Sequence, residues 1–401
     1  MKTALLLLAL SALAALPLSA AFAPSLLLTP SKTSSFFRSS SAPLPRAASA
    51  RFIPHKHSTS RISSSIKMQG GEAPLVVVAG ATGRLGSKVV AQLLSPDPGS
   101  KMQPVRVRAL VRSKAKAEGK LPVSSPLLEV MECNLLDNNS VVQACAGAEA
   151  AVWCATGFSD SSERSVLDKL LGAVRQQFRR QESVDIAGIK SVAACFRGGA
   201  SALGGPRVVL CSSAGVTRTT WSEAKKKQYE GCADIPIVRV NPLGVLDTKR
   251  ESEEVLRASG ADYTVVRPCG LNDAWPQGRP LLSQGDMAVG RISRQDAARV
   301  LAEMLFEPLA SGKTFEVFAL SGYDKPADNS QQLARLRTDS EEASSPTSDA
   351  SLSLLYSLLQ QLVPGKELAP NRLAMGQTYE QLDNGERGRL GERGRERPQF
   401  E

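Results

Sequence analysis

Three glycines at regular spacing form the clearest chemical signature of this 401-residue sequence. Gly80, Gly83 and Gly86 follow the apolar run 75–79 and precede the second apolar run 89–94. This pattern predicts a strand, a tight turn and a helix whose first backbone N–H groups bind a pyrophosphate. The residues expected to form this dinucleotide site are Gly80, Thr82, Gly83, Arg84, Leu85 and Gly86.

The charge at the end of the next apolar run favours NADP over NAD. A fold that prefers NAD usually ends its second strand with an acid that binds the ribose 2′-hydroxyl. Here the run 105–111 ends at Arg112 and Lys114, and Arg112 together with Lys114 or Arg84 can bind a 2′-phosphate through charge-assisted hydrogen bonds. The alternative is that Arg112 and Lys114 form only a solvated basic loop.

Composition excludes several kinds of catalytic site. The only two histidines, His55 and His57, lie in an N-terminal segment that we expect to be removed. A mature chain without imidazole cannot contain a Ser-His-Asp triad or the common zinc sites, so we expect no metal. The seven cysteines include no CxxC pair, and we expect them to be reduced and mostly buried.

Apolar strand-like runs alternate with helical stretches from residue 75 onward. The six runs expected to be strands are 75–79, 105–111, 127–131, 150–154, 207–211 and 263–266, and a helix near 294–306 and a strand near 314–319 follow. This alternation predicts an α/β fold with a doubly wound parallel sheet, Rossmann-like and forming a single domain over 74–322. The Ser-, Asp- and Glu-rich stretch 323–350 is expected to be a linker to a C-terminal extension, 351–401. Its leucines predict an amphipathic helix over 351–363 that either docks a partner or packs back on the domain.

The N-terminal segment has the composition of a targeting sequence. Residues 1–67 contain eight Lys or Arg and no Asp or Glu, so the formal net charge of +10 falls to +2 without them. That argues against nucleic-acid binding by the mature protein. Residues 1–21 are typical of a signal peptide, and the basic, Ser-rich stretch 22–67 is typical of a plastid transit peptide. No later run is long enough for a membrane span, and peripheral membrane association is left open.

Six ordered motifs resemble the atypical short-chain dehydrogenase/reductases, in particular the NmrA-like NAD(P)-binding Rossmann family of plastid proteins. The motifs are 78–86, 154–157, 211–216, 247–253, 259–271 and 292–296, and the resemblance spans residues 75 to about 322. It implies that Asn134 and Leu135 bracket the adenine, although relatives often carry Asp in place of Asn134. Further cofactor contacts implied by the resemblance are Ala155, Thr156, Gly157, Ser212, Lys249, Pro268 and Gly270.

The resemblance is incomplete where catalysis is concerned. A typical member protonates its substrate with a Tyr that stands four residues before a Lys, and a Ser holds the carbonyl oxygen. Lys249 matches the family lysine, and Ser212 or Ser213 after the fifth strand could orient a substrate or a water, but Val245 stands where the Tyr is expected. None of the five tyrosines has a Lys four positions later. Ser212 and Lys249 are the catalytic candidates, with strand capping and ribose binding as their respective alternatives.

Two functions from different classes remain open. One is an NADPH-dependent plastid reductase of a small carbonyl, quinone or isoprenoid-like metabolite. The other is a nonenzymatic NADPH-sensing scaffold or assembly factor for photosynthetic or import complexes. The expected partner is therefore either a small-molecule substrate or a plastid protein complex, and the missing Tyr favours the second function.

Overall fold

The run Leu75–Ala79 is buried along its whole length and forms the first strand, β1, of a parallel sheet. The computed structural model describes residues 73–157, 183–321 and 323–360. The other strands are β2 (Arg106–Val111), β3 (Leu128–Glu132), β4 (Ala150–Trp153), β5 (Val208–Cys211), β6 (Tyr263–Pro268), β7 (Gly270–Leu271), β8 (Gly278–Ser283), β9 (Arg291–Ile292) and β10 (Lys313–Ser321). The predicted strands thus form, with bounds that differ from the expected ones by up to two residues.

Within the described residues, eight strands form one sheet in the order β3-β2-β1-β4-β5-β6-β10-β8. Strands β1 to β6 are parallel in the order that is typical of dinucleotide-binding folds. The antiparallel edge strand β8 was not predicted, because its short sequence contains Pro280 and lacks a long apolar run. An edge strand tolerates proline because one side of its backbone needs no partner. Strands β7 and β9 pair separately.

Helices cover both faces of the sheet, which confirms the predicted doubly wound α/β architecture. The helices are α1 (Gly86–Leu94), α2 (Asn138–Cys145), α3 (Ile189–Cys195), α4 (Glu223–Gln228), α5 (Glu230–Ala233), α6 (Pro236–Val240), α7 (Val245–Arg257), α8 (Arg294–Met304), α9 (Ser330–Leu333), α10 (Asp339–Ser344) and α11 (Asp349–Gln360). Helices α1 and α8 pack together on one face, while α2, α3 and α7 bury their apolar residues on the other. Apolar burial on both faces is what a near-continuous apolar strand such as β1 requires.

The segment 323–360 differs from the expected linker. Leu333 of α9 is fully buried, and the Lys313 ammonium donates a 2.8 Å hydrogen bond to its carbonyl oxygen. Asp339 of α10 accepts hydrogen bonds from Arg257 at 2.8 Å and from Tyr263 at 2.9 Å. Composition suggested a linker because the contacts that order this segment are made by a few residues far away in the sequence.

The amphipathic helix α11 packs back on the domain, one of the two outcomes that its leucines allowed. Leu352 and Leu359 join a cluster of buried residues with Tyr229 and Phe318. The Tyr229 and Tyr356 rings meet edge to face at 5.3 Å between centroids. Helix α11 therefore braces α4 and α5, which belong to the long connection between β5 and α7.

The predicted presequence, 1–67, and the C-terminal end beyond residue 360 lie outside the described residues. The signal peptide and the transit peptide therefore stay predictions. No helix of the described ranges combines the length and the apolar character that crossing a membrane requires.

Candidate cofactor and active site

The predicted glycine turn has the geometry that its spacing indicated. Gly80 has a φ of +77°, and a Cβ at this residue would lie 2.6 Å from the Ala155 backbone nitrogen. At Gly86 a Cβ would lie 2.2 Å from the Gly80 carbonyl oxygen, so α1 can approach the turn only through glycine. At Gly83 the nearest atom is the same oxygen, at 3.1 Å. Two glycines thus serve folding, and Gly83 leaves open space at the start of the helix.

The N-terminus of α1 lacks the side-chain cap that several other helices carry. Helix α2 is capped by Asp137 and α8 by Ser293, each of which accepts a backbone hydrogen bond. Leu85 precedes α1 without a side-chain cap, and the first turn of α1 contains no acid. Ser87, Lys88 and Val89 already donate their N–H groups to the carbonyl oxygens of Gly83 and Leu85. The terminus therefore offers a pyrophosphate the N–H groups that precede them and the positive end of the helix dipole.

The other predicted cofactor residues follow the carboxyl ends of neighbouring parallel strands. Arg112 follows β2, Asn134 follows β3, the turn 155–157 follows β4, and Pro268 ends β6. Strands lie about 4.8 Å apart, so these residues share one edge of the sheet with the glycine turn. This edge is where open α/β sheets bind their ligands.

The basic loop after β2 contains an acid that the sequence analysis did not consider. Arg112 and Lys114 are exposed, and the Lys114 backbone N–H donates a 2.8 Å hydrogen bond to the Glu132 carboxylate. Glu132 ends β3 and is paired in register with Val111. The loop thus presents two cationic side chains, Arg112 and Lys114. The neighbouring carboxylate, Glu132, already accepts a hydrogen bond from the Lys114 backbone N–H.

The Asn134 side chain shapes its own turn. Its amide oxygen accepts a 3.2 Å hydrogen bond from the Leu136 N–H, and its backbone N–H donates to the Ser140 hydroxyl. Leu135 is half-buried, and its carbonyl oxygen lies under Gly188, where a Cβ would meet it at 3.1 Å. Asn134 and Leu135 therefore lie in a turn that is fixed by local contacts, and their contact with the adenine stays a prediction.

A buried carboxylate that the sequence analysis missed joins two of the predicted contacts. Asp185 is 2% exposed, and its side chain accepts a 2.6 Å hydrogen bond from the Gly157 N–H. Its other oxygen lies 3.8 Å from the Lys249 Nζ. Asp185 lies in a single π-helical turn, Val184–Gly188, ahead of α3, and such turns often occur at functional sites. The sequence signal for Asp185 was that it is the single acid among the apolar and small residues of the stretch 184–189.

Lys249 projects from α7 toward the ends of β4 and β5. Its positive charge acts to lower the pKa of the Cys154 and Cys211 thiols, but burial is stronger and raises the pKa of Cys211 to about 11. All seven cysteines are free, and five of them are buried. A protonated thiol is a poor nucleophile, so Cys154 and Cys211 are not prepared for nucleophilic chemistry.

Ser212 lies directly after β5, where the family serine is expected. It is 6% exposed, and its backbone N–H donates a 2.8 Å hydrogen bond to the Val266 carbonyl oxygen. Its hydroxyl lies near the Glu253 carboxylate, yet it makes no hydrogen bond of full geometry to the described residues. A buried hydroxyl without a partner is costly unless it serves a ligand.

A buried ion pair fixes the turn that carries Pro268 and Gly270. The Arg267 guanidinium donates two hydrogen bonds to Glu253, at 2.7 and 3.0 Å. The Pro268 carbonyl oxygen accepts from the Ala214 N–H at 3.1 Å, and the Gly270 N–H donates to the Gly290 carbonyl oxygen. The turn is thereby held against the loop after β5.

Arg218 and Asp286 anchor the loop that follows Ser212. Arg218 is fully buried and donates to three backbone carbonyl oxygens, those of Asp286, Cys232 and Ala288. Asp286 accepts from the Gly215 N–H at 2.7 Å and from the Thr217 N–H at 2.9 Å. Beneath them, burial raises the pKa of Glu316 to about 7.

Arg84 pairs with a carboxylate that lies far from it along the sequence. Its guanidinium lies 2.7 Å from the Asp273 carboxylate, in the loop that follows β7. Arg294, at the start of α8, contacts the same carboxylate oxygen at 2.9 Å. Arg84 is thus paired with Asp273, and the 2′-phosphate contacts of Arg112 with Lys114 or Arg84 stay a prediction.

The described tyrosines near the fold core do not replace the missing proton donor. Val245 opens α7 at the position four residues before Lys249. The Tyr229 hydroxyl bonds Ser353 of α11, and Tyr263 bonds Asp339, with burial raising its pKa above the ordinary value. A tyrosine with a raised pKa is a weaker acid, so Tyr263 is not prepared for proton transfer, and the Tyr229 hydroxyl is engaged with Ser353.

A separate open cleft of about 730 Å³ lies among α4, α5, α6 and the start of α7. Its lining includes Lys226, Asp234 and Asp247. Residues two apart on a helix point about 200° apart, so Asp247 and Lys249 face opposite sides of α7. The cleft is therefore distinct from the strand-end site.

The strand order, the glycine turn and the open N-terminus of α1 together define a dinucleotide-binding protein of the Rossmann class. A family model described as NAD(P)H-binding matches residues 80–308, more than half of the sequence. The chain therefore belongs to this NAD(P)H-binding family, and it is an atypical, NmrA-like short-chain dehydrogenase/reductase in fold and motifs.

Two chloroplast proteins of Arabidopsis thaliana are similar to this chain. One is an uncharacterized chloroplastic protein, 29% identical over 66% of this chain and 85% of its own length. The other is Protein TIC 62, chloroplastic, 28% identical over 64% of this chain but only 37% of its own length. A short-chain dehydrogenase/reductase from Veillonella parvula, solved in complex with NADP, is 17% identical over 63% of this chain and 99% of its own length, with a TM-score of 0.42.

Proposed function

We propose that this protein is an NADP(H)-dependent plastid reductase of a small carbonyl, quinone or isoprenoid-like metabolite. The observation that carries the proposal is the arrangement at the ends of β4 and β5, where Lys249 lies 3.8 Å from the buried Asp185 and the buried Ser212 hydroxyl lacks a hydrogen bond of full geometry. A ligand oxygen at these strand ends would give the Ser212 hydroxyl a full hydrogen bond. Plastid targeting through the presequence belongs to the same proposal, which the chloroplastic relatives support.

Each residue has a role that follows from its position. The uncapped N–H groups of α1 bind the pyrophosphate, and the Lys249 ammonium, held by Asp185, binds the ribose hydroxyls. When bound, the cofactor supplies hydride to the substrate carbon. The Ser212 hydroxyl donates a hydrogen bond to the substrate oxygen as negative charge develops on it. With Val245 in place of a tyrosine, the proton comes from water.

Cofactor preference follows from the exposed cations after β2. NADPH should bind the wild-type protein more tightly than NADH, by roughly tenfold or more, because charged hydrogen bonds to a phosphate are strong. Arg112→Asp should erase or invert this preference, since it replaces attraction with repulsion. Fluorescence titration of both cofactors against both proteins measures it. Equal affinities of wild type for NADH and NADPH would refute the charge argument.

Turnover is the test of the reductase itself. A screen of NADPH oxidation against small carbonyls and quinones should identify a substrate, and Lys249→Met should lower kcat on it by roughly 100-fold through lost positioning. NADPH titration shows whether Lys249→Met still binds the cofactor. Lys190→Met, a solvent-exposed residue of α3, serves as the matched control. Turnover unchanged in Lys249→Met would contradict the proposed role.

A second candidate is a nonenzymatic NADPH-sensing scaffold or assembly factor, favoured by Val245 at the tyrosine position. Its partner would be a photosynthetic or import complex of the plastid. Co-purification from plastid membranes, with the full chain and with a chain that ends at residue 360, distinguishes the two functions. Partners that bind the full chain, together with NADPH binding but no turnover on any screened substrate, would favour the scaffold.

A further inference from the structure

The strongest unexplained feature of the cofactor site is the acid that holds Arg84. Arg84 belongs to the glycine turn, and Asp273 belongs to a loop 189 residues later in the sequence. Two guanidinium groups, those of Arg84 and Arg294, converge on one carboxylate oxygen, at 2.7 and 2.9 Å. Burial acts to raise the pKa of Asp273, but the hydrogen bonds from these arginines outweigh it and lower the pKa. Asp273 is therefore an anion over the working range of pH.

The Asp273 loop is fixed by its backbone. The N–H of the preceding residue, Asn272, donates to the Ile292 carbonyl oxygen at 3.0 Å, and its side chain accepts from the Ala274 N–H. The buried Trp275 indole donates to the Ala319 carbonyl oxygen at 3.3 Å. The side chains of both residues are exposed, that of Arg84 by 59% and that of Asp273 by 42%, so the restraint on Asp273 comes from its backbone. Any exchange at this ion pair therefore moves Arg84 and leaves Asp273 in place.

The surroundings of the pair are strongly attractive to anions. Helices α1 and α8 pack together, and Arg84 and Arg294 lie at or beside their N-termini, where the helix dipoles are positive. Asp273 is the carboxylate that the structure shows bound to both cations. A dinucleotide phosphate at the start of α1 would lie beside Arg84, which belongs to the glycine turn itself.

We propose that Asp273 is a built-in competitor for the cofactor phosphate, and that Arg84 exchanges the Asp273 carboxylate for a phosphate oxygen when NADP(H) binds. This inference rests on the proposed cofactor function of the same site. Asp273 then sets the affinity below the value that the turn alone would give, which favours rapid exchange of the cofactor.

The test is a double-mutant cycle on cofactor binding, with no need for a substrate. Asp273→Asn should tighten NADPH binding by about two- to fivefold at low salt, the range expected for an exposed ion pair. In the Arg84→Gln background the same change should have little effect, because no Arg84 remains to be released. The gain should shrink as salt is added. Glu254→Gln removes another exposed acid that pairs with one arginine, and it should leave the affinity unchanged.

The outcomes separate this inference from the proposed function. If wild type binds NADPH but Asp273→Asn binds it equally or more weakly, the competitor role is wrong and the pair is structural or acts as a latch. If Asp273→Asn still tightens NADPH binding in the Arg84→Gln background, the inference is also overturned. The loss of a negative charge near the site would then explain the tighter binding without any release of Arg84. If wild type binds neither NADPH nor NADH, the proposed function itself fails.

Discussion

Valine at position 83 is expected to abolish NADPH binding while the domain stays folded. Gly83 lies in the turn before α1, and its Cβ position is crowded only by the Gly80 carbonyl oxygen, at 3.1 Å. The added side chain would fill the space that the pyrophosphate needs, so the Kd should rise by roughly 100-fold or more. Fluorescence titration measures the affinity, and circular dichroism with a thermal melt checks the fold.

The neighbouring glycine gives the matched contrast. Gly86→Val should reduce stability as well as binding, because its Cβ would lie 2.2 Å from the Gly80 carbonyl oxygen, which forces the helix away from the turn. Gly83→Val should thus lose cofactor binding because it blocks the phosphate, whereas Gly86→Val should lose it because the helix is displaced from the turn. Unchanged NADPH binding in Gly83→Val would mean that the phosphates bind elsewhere on the protein.

Arg218→Met should be the most destabilising change of a charged residue near the site. The substitution keeps much of the volume but leaves the buried Asp286 without its ion-pair partner and three carbonyl oxygens without a donor. Removing one partner of a buried pair costs about 3–5 kcal/mol of unfolding free energy. Urea denaturation followed by circular dichroism measures this quantity.

The surface pair of Arg250 and Glu254 on α7 provides the control. Its 2.9 Å contact is exposed, so Arg250→Met should change the unfolding free energy by less than about 1 kcal/mol. If Arg218→Met were as stable as Arg250→Met, the buried network would not hold the loop after β5 in the way that its hydrogen bonds indicate.

The parallel sheet and the cofactor turn were predictable because local sequence patterns determine them. Buried parallel strands such as β1 read as continuous apolar runs, and the three glycines fix a strand-turn-helix unit within seven residues. The order of those strands follows from the family resemblance. Positions such as Gly80 and Gly86 could thus be assigned structural roles before any contact was seen.

What could not be predicted depends on contacts between distant residues. Strand β8 exists because it pairs with β10, and Asp339 orders α10 through Arg257 and Tyr263, which precede it by more than seventy residues. Asp185 and Asp273 could not be assigned to the site from the sequence, because their ion-pair partners, Lys249 and Arg84, lie far from them along the chain. Sequence spacing carries no record of such pairings in a single chain.

The helices after residue 323 extend the folded domain beyond the part of the chain that the family model matches. The family match stops at residue 308, yet Leu333 fills the core and Leu352 and Leu359 cover buried Tyr229. A protein truncated at residue 308 would lack β10 and the three leucines Leu333, Leu352 and Leu359. The apolar side chains that these elements cover, such as Tyr229, would then be exposed to water. An endpoint at residue 360 keeps α9, α10 and α11 whole, so the folded part of the described chain extends beyond the residues that the family model matches.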